Sequence, residues 1–247
     1  MGRDRYTPNW IGNLFDNYKV KCPDGSIWRF DEKISEKSLD IQGADPNYVV
    51  AESQAVYHCH QTKGPSIGME AIVKVRMQVP FTYPASSDPF VRSCEACVGV
   101  AAPTATEVAA LEHFTKKDCT VVPRLLHCIR SYQDIYMPVP GSYIIFLIME
   151  KCPGVELTDF WDYDEAKRKK IRDAFRKNYT ELLSCFADPA DPGLRNIIYD
   201  EQENKCWFID HEQTYILEDE TPMMFYEKDF VYWGLEEYVP VGAEQCG

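Results

Sequence analysis

Long apolar runs are missing from this chain. Among its 247 residues the longest uninterrupted one is Tyr143–Met149, seven residues, whereas a membrane-spanning helix needs about 20. No bilayer-spanning segment is therefore expected. The opening MGRDRYTPNW is charged and aromatic and has no apolar stretch of the secretory kind, which points to a cytoplasmic protein. Gly2 stands where N-myristoylation acts, but Tyr6 occupies the position where that motif takes Ser or Thr. Positive charge is scarce as well: 26 Lys and Arg face 39 Asp and Glu, a net charge of −13. A protein devoted to nucleic acid is usually basic. Internal repeats, low-complexity tracts and clear linkers are absent. Zinc-ligand spacing is incomplete, because Cys94-Glu95-Ala96-Cys97 is a single CxxC. The other dense candidate, His58-Cys59-His60, points neighbouring residues to opposite faces of a strand and so offers two ligands at best. Ten cysteines without a secretory signal read as reduced thiols.

The residues present are those of a globular chain, 45% hydrophobic and 26% charged. Residues 1–45 mix aromatics, Pro and Gly and suggest short strands and turns. Tyr48-Val49-Val50, Ala55–His58 and Ala71–Met77 read as strands; the last alternates Ile72, Lys74 and Arg76 against Ala71, Val73, Val75 and Met77, as a half-buried strand does. Pro84, Pro89 and Pro103 mark a loop over 83–103. Thr104 or Thr106 is expected to cap a helix through Glu107–Phe114. Arg124–Arg130 and Tyr143–Met149 are two more strands, and Cys152-Pro153-Gly154 breaks the second. The clearest helix covers 164–187, with Ile171, Phe175, Leu182, Leu183 and Phe186 at helical spacing. A turn at Asp191-Pro192-Gly193 and a strand pair, Ile197–Tyr199 and Cys206–Ile209, follow. The tail is rich in Phe, Tyr and Trp, which are more often core than substrate cage. The order of elements makes an α+β chain in two parts, 1–151 and 152–247.

The chemistry concentrates in the second part. Asp191 precedes Asn196 by five residues, a strand follows, and a tight turn returns the chain to Asp210. A hairpin brings its ends together, so Asn196 and Asp210 would share one space facing Asp191. Mg²⁺ takes hard oxygen ligands, usually one or two from protein carboxylates. With Ile209-Asp210-His211-Glu212 closing the pattern, the chain resembles the protein-kinase-like superfamily, in particular its aminoglycoside and choline phosphotransferase branch. Ala71-Ile72-Val73-Lys74 resembles the strand carrying the phosphate-binding lysine. Glu107 resembles the acid that pairs with it, with Glu112 as a rival. Ile145–Glu150 before Cys152-Pro153-Gly154 resembles the adenine-holding strand and hinge.

The resemblance covers roughly residues 46 to 215. It implies a two-lobed fold with an antiparallel-sheet N-lobe and a reduced helical C-lobe sharing a cleft. It also implies ATP and Mg²⁺ as cofactors, with phosphoryl transfer to a small hydroxyl compound. Lys74 would hold phosphate oxygens and Glu107 orient it. Glu150, Lys151 and Cys152 would lie at the nucleotide. Asn196 and Asp210 would bind the metal, and Asp191 would orient the acceptor hydroxyl.

There are departures from the pattern. Pro189 stands where the family usually has His. Gln61–Gly68 ahead of Lys74 has two glycines without the glycine-rich spacing that cradles phosphate. Only 37 residues follow Asp210, so the acceptor site is expected from residues 1–45 and the aromatic tail. Two further readings stay open. Compact kinase-like chains also look like those of fungal small-molecule pathways, among them arginine-containing cyclodipeptide synthesis from aminoacyl-tRNA, which needs no ATP. For that reading Lys167, Arg168, Lys169, Lys170, Arg172, Arg176 and Lys177, seven cations within eleven residues, would form a stripe for the tRNA backbone. The third reading is a pseudokinase-like binding module.

Overall fold

The structure, a computed structural model, describes residues 9–42, 49–81, 84–218, 220–221 and 223–238. Gly2, Tyr6 and Tyr48 lie outside these residues. The chain is α+β, with a sheet-rich first part and a smaller helical second part, the architecture expected for a kinase-like chain. It divides into two compact units: residues 1–108 with 125–151, and residues 109–124 with 152–247. The division expected at 151/152 therefore needs one correction, since 109–124 joins the second unit. The cause is packing: the Phe114 ring lies 4.9 Å from His211, and the Phe208 amide donates to the Val121 carbonyl at 2.8 Å.

Unit 1 is built on six antiparallel strands: β1 (Lys19–Lys21), β2 (Ile27–Gln42), β3 (Val49–Lys63), β4 (Glu70–Val79), β5 (Leu125–Tyr132) and β6 (Tyr143–Glu150). Their order across the sheet is β1-β2-β3-β4-β6-β5. The strands expected over Tyr48–Val50 and Ala55–His58 are one strand, β3. The region of short strands instead holds the 16-residue β2, whose register against β3 shifts between Phe30 and Ser35. Ala71, Val73, Val75 and Met77 alternate on one buried face of β4 and join a core with Ile11, Phe15, Trp28, Phe30, Tyr57 and Phe146. Edge-on aromatic contacts order this core, Phe15 to Phe146 at 5.5 Å and Phe30 to Phe146 at 5.8 Å. The sheet curls: His127 of β5 and Trp28 of β2, near opposite ends of the strand order, have ring centroids 6.2 Å apart.

Within the expected loop, Asp88 caps a five-residue helix, α1 (Pro89–Ser93), by accepting from the Phe90 amide. Helix α2 (Ala102–Lys116) starts earlier than expected. Pro103 falls in the first turn, where its missing N–H is no loss. Thr104 is consequently not a cap; it is buried inside the helix.

Unit 2 centres on α3 (Glu165–Ser184), capped by Asp164, which accepts from the Lys167 amide. Ile171, Phe175, Asn178, Leu182 and Leu183 form its buried face. The helix stops before Phe186, which takes a left-handed φ of 59°. Strands β7 (Val155–Glu156), β9 (Ile197–Asp200) and β10 (Lys205–Phe208) make one sheet, and β8 (Ala187–Pro189) pairs with β11 (Thr214–Ile216). A short helix, α4 (Lys228–Tyr232), follows. Phe230 and Trp233 pack on Phe175, both at 5.7 Å, so those tail aromatics are core, while Tyr226 and Tyr232 are exposed.

Candidate functional site

Strand β4 lies between β3 and β6. A central strand leaves its second face to be covered, and here that face carries Lys74, Arg76 and Gln78, all buried. The expectation of a half-buried strand is corrected accordingly. Burying cations is costly unless each meets an anion with hydrogen bonds. Lys74 Nζ is paired with Glu107 Oε1. Arg76 donates to Glu107 Oε2 from Nη2 at 2.6 Å and Nε at 2.8 Å, and from Nη1 to Glu52 Oε1 at 3.0 Å. Glu52 Oε2 also accepts from Thr104 Oγ1 at 2.5 Å and from the Tyr143 hydroxyl at 2.8 Å. Two cations thus meet two carboxylates. Glu112, the rival of Glu107, is exposed.

The two cations differ in one respect. The Arg76 side chain is fully enclosed, whereas that of Lys74 keeps 9% of its surface exposed. Burial raises the Tyr143 hydroxyl far above its usual pKa, with the Glu52 charge adding to the effect; it stays a donor. Arg76 and Glu52 were not singled out from sequence, although the period of two in β4 already puts Arg76 on the Lys74 face.

In unit 2 the turn after β8 enters a single helical turn, Leu194–Asn196, directly before β9. Buried Asn196 donates from Nδ2 to the Asp191 carbonyl at 2.8 Å and to Asp191 Oδ2 at 3.4 Å. Its side-chain oxygen is the remaining acceptor. The Ile209 amide donates to the Asn196 carbonyl at 3.0 Å, so the end of the β9–β10 hairpin sets Asp210 next in chain to a residue bonded to Asn196. Asp210 has φ 64°, the left-handed region, uncommon for non-glycine residues although Asp and Asn enter it more readily than most. Asp191 also receives Arg195 Nη2 on both oxygens, at 2.6 and 2.7 Å, an ion pair not expected from sequence. His211 is buried, its ring nitrogens 3.0 Å from the Phe208 carbonyl and 3.2 Å from Thr214 Oγ1, which suits a packed histidine. Pro189 and Ala190 line a cavity of about 420 Å³ with Pro192, Tyr226, Tyr232 and Trp233.

The donor set suits the group the resemblance implies. An amide oxygen and a carboxylate are the hard ligands that Mg²⁺ takes, so Asn196 and Asp210 fit such an ion. The turn before Lys74 does not fit a phosphate cradle. Gln61–Lys63 is still strand, and two of the turn's amides are used internally: Gly68 donates to the Gln61 carbonyl and Ser66 to Gln61 Oε1. At the expected hinge, Lys151 Nζ pairs with Glu70 at 2.7 Å, while nucleotide roles for Glu150 and Cys152 remain expectations of the resemblance.

The basic run is partly neutralised by its own unit. Lys167 pairs with Glu201, Arg168 and Arg172 with Glu165, and Arg176 with Glu227. Lys169, Lys170 and Lys177 are exposed. All nine described cysteines are free thiols. Cys59 is buried while its neighbours His58 and His60 are half-exposed, the alternation expected for a strand.

No family model and no curated protein matches this chain. Among solved structures it is similar to the kinase PK-1 of Cydia pomonella granulovirus, at 16% identity and a TM-score of 0.39. The similarity covers 74% of this chain and 53% of that one, so the chain spans about half the length of the kinase it matches.

Proposed function

We propose that this protein is a transferase of the kinase-like kind, moving a phosphoryl group from Mg²⁺-bound ATP to a hydroxyl of a small molecule. The observation that carries the reading is the buried pairing of Lys74 with Glu107, in which the lysine alone of the two buried cations keeps a solvent-accessible edge. A carboxylate at that position holds an ammonium in one orientation, so the cation is preorganised for phosphate oxygens. In this reading Asn196 and Asp210 hold the metal, which supplies charge neutralisation at the phosphates when bound. Asp191 orients the acceptor hydroxyl, and Asn196, bonded to the Asp191 carbonyl, keeps that loop in place. The cavity beside Pro189, Ala190 and Pro192 is the acceptor pocket, walled by Tyr226, Tyr232 and Trp233.

Calorimetric titration of the full chain with ATP and Mg²⁺ tests the proposal, followed by phosphate-transfer assays on a panel of small alcohols. Binding that requires Mg²⁺ and is lost in Lys74→Met and Asp210→Ala supports it. A second reading, transfer of an aminoacyl group from tRNA, draws on one observation: the Ser66 and Gly68 amides of the turn before Lys74 are already bonded to Gln61. Bulk tRNA binding that weakens with salt and with charge reversal at Lys169 and Lys170, in a chain that ignores ATP, would favour it. ATP binding without turnover of any acceptor would leave the pseudokinase-like module.

A further inference from the structure

Unit 1 holds another group of ligating side chains that the transfer chemistry does not use. The turn between β1 and β2, Cys22-Pro23-Asp24-Gly25-Ser26, is closed by the Cys22 amide on the Ser26 carbonyl at 2.9 Å and the Gly25 amide on the Cys22 carbonyl at 3.0 Å. Ser26 donates from its amide and its hydroxyl to Asp24 Oδ1, at 2.9 and 2.7 Å. That leaves Oδ2, which lies 3.7 Å from Nε2 of His127 on β5. The same nitrogen is 3.5 Å from Ser26 Oγ. The Cys22 sulfur completes the group, and the three ligand atoms of Cys22, Asp24 and His127 all lie within 4.8 Å of one another.

These distances separate two explanations. At 3.7 Å the His127–Asp24 pair is too long for a hydrogen bond. Tetrahedral zinc, with bonds of about 2.0–2.3 Å, spaces its ligand atoms by about 3.5 Å, so this pair already has ligand-to-ligand spacing. The donor types agree: sulfur and imidazole with one carboxylate select a borderline-soft ion, not Mg²⁺ or Ca²⁺. Among the described residues, neither Cys94 with Cys97 nor the His58–His60 triplet makes a comparable three-ligand cluster.

We propose that Cys22, Asp24 and His127 bind one zinc-type divalent cation, with the fourth position open to water. On binding, the Cys22 S–H bond breaks, its proton passes to solvent, and the sulfur's electron pair forms the bond to the metal. No oxidant or reductant is involved. The ion ties the β1–β2 turn to β5, and β1 and β5 are the two edges of the six-stranded sheet. It therefore clasps the curled sheet shut, independently of any nucleotide.

The test uses the reduced, metal-stripped full chain titrated with Co²⁺ and Zn²⁺. One equivalent should bind, with a near-ultraviolet thiolate-to-cobalt charge-transfer band that Zn²⁺ abolishes. The melting temperature should rise with Zn²⁺. Cys22→Ser should remove the band, and His127→Gln should lower affinity by at least about tenfold. The ring of His127 is partly exposed, so that variant carries the test if Cys22→Ser does not fold. A band and melting shift unchanged in both variants overturn the proposal, as does a folded wild-type chain that takes up no Co²⁺ or Zn²⁺.

Discussion

Glu107→Gln is the sharpest single perturbation of unit 1. It removes the carboxylate shared by Lys74 and Arg76, whose side chains are 9% and 0% exposed, while Arg76 keeps its bond to Glu52. Breaking a buried ion pair by deleting one partner costs about 3–5 kcal/mol. In a chain of this size each kcal/mol moves the melting temperature by about 2–4 °C, so a fall of at least about 6 °C is expected by differential scanning fluorimetry. The exposed Glu112→Gln should shift stability by less than about 0.5 kcal/mol. The second half of the argument is coupling. Arg76→Met is itself destabilising, but Arg76→Met with Glu107→Gln should cost less than the sum of the single changes, by about 1–3 kcal/mol. Urea denaturation of all three variants measures this. If Glu107→Gln behaves like Glu112→Gln, or the two single effects simply add, the buried four-charge network does not hold unit 1 together.

Gly154 has φ 111°, and an added Cβ would sit 2.2 Å from the Tyr199 carbonyl oxygen. Gly154→Ala should therefore destabilise by more than about 2 kcal/mol, while Gly68→Ala, also at positive φ but with open space around it, should cost about 1–2 kcal/mol; equal losses in urea melts would contradict this. Asn178 Oδ1 accepts from the buried Cys206 amide at 2.9 Å, so Asn178→Ala orphans that donor, and a loss below about 1 kcal/mol would speak against the bond's importance. Burial raises the phenols of Tyr57 and Tyr143, and pushes that of Tyr179 up to about 12. An unfolded tyrosine ionises near 10, so above that pH the folded state binds more protons than the unfolded one. Stability should hold below pH ~10 and fall as pH climbs through the folded values. Ultraviolet titration should show these three tyrosinates emerging only with unfolding; their ionisation in a chain that keeps its circular dichroism would refute it.

Much of the local structure was legible because local rules decide it. The alternation of β4, the apolar run of β6, the spacing of Ile171, Phe175 and Leu182 on α3, and the turn between β9 and β10 all depend on near neighbours in the chain. The choice of Glu107 as partner of Lys74 came from a resemblance in order and spacing. Only the tertiary structure distinguishes it from Glu112, five positions on, because one faces β4 and the other faces water.

What required the tertiary structure was coverage and closure. Alternation says that Lys74 and Arg76 share a face, but not whether that face meets solvent. It is buried because β4 lies between two strands and α2 brings Glu107 against it. Nor can local pattern join Cys22 and Asp24 to His127, more than 100 residues away. Only the curl of six strands brings the two sheet edges together. The sequence by itself determined the elements and the side each residue shows; which sides became interior depended on contacts between segments remote along the chain, and no periodicity encodes those.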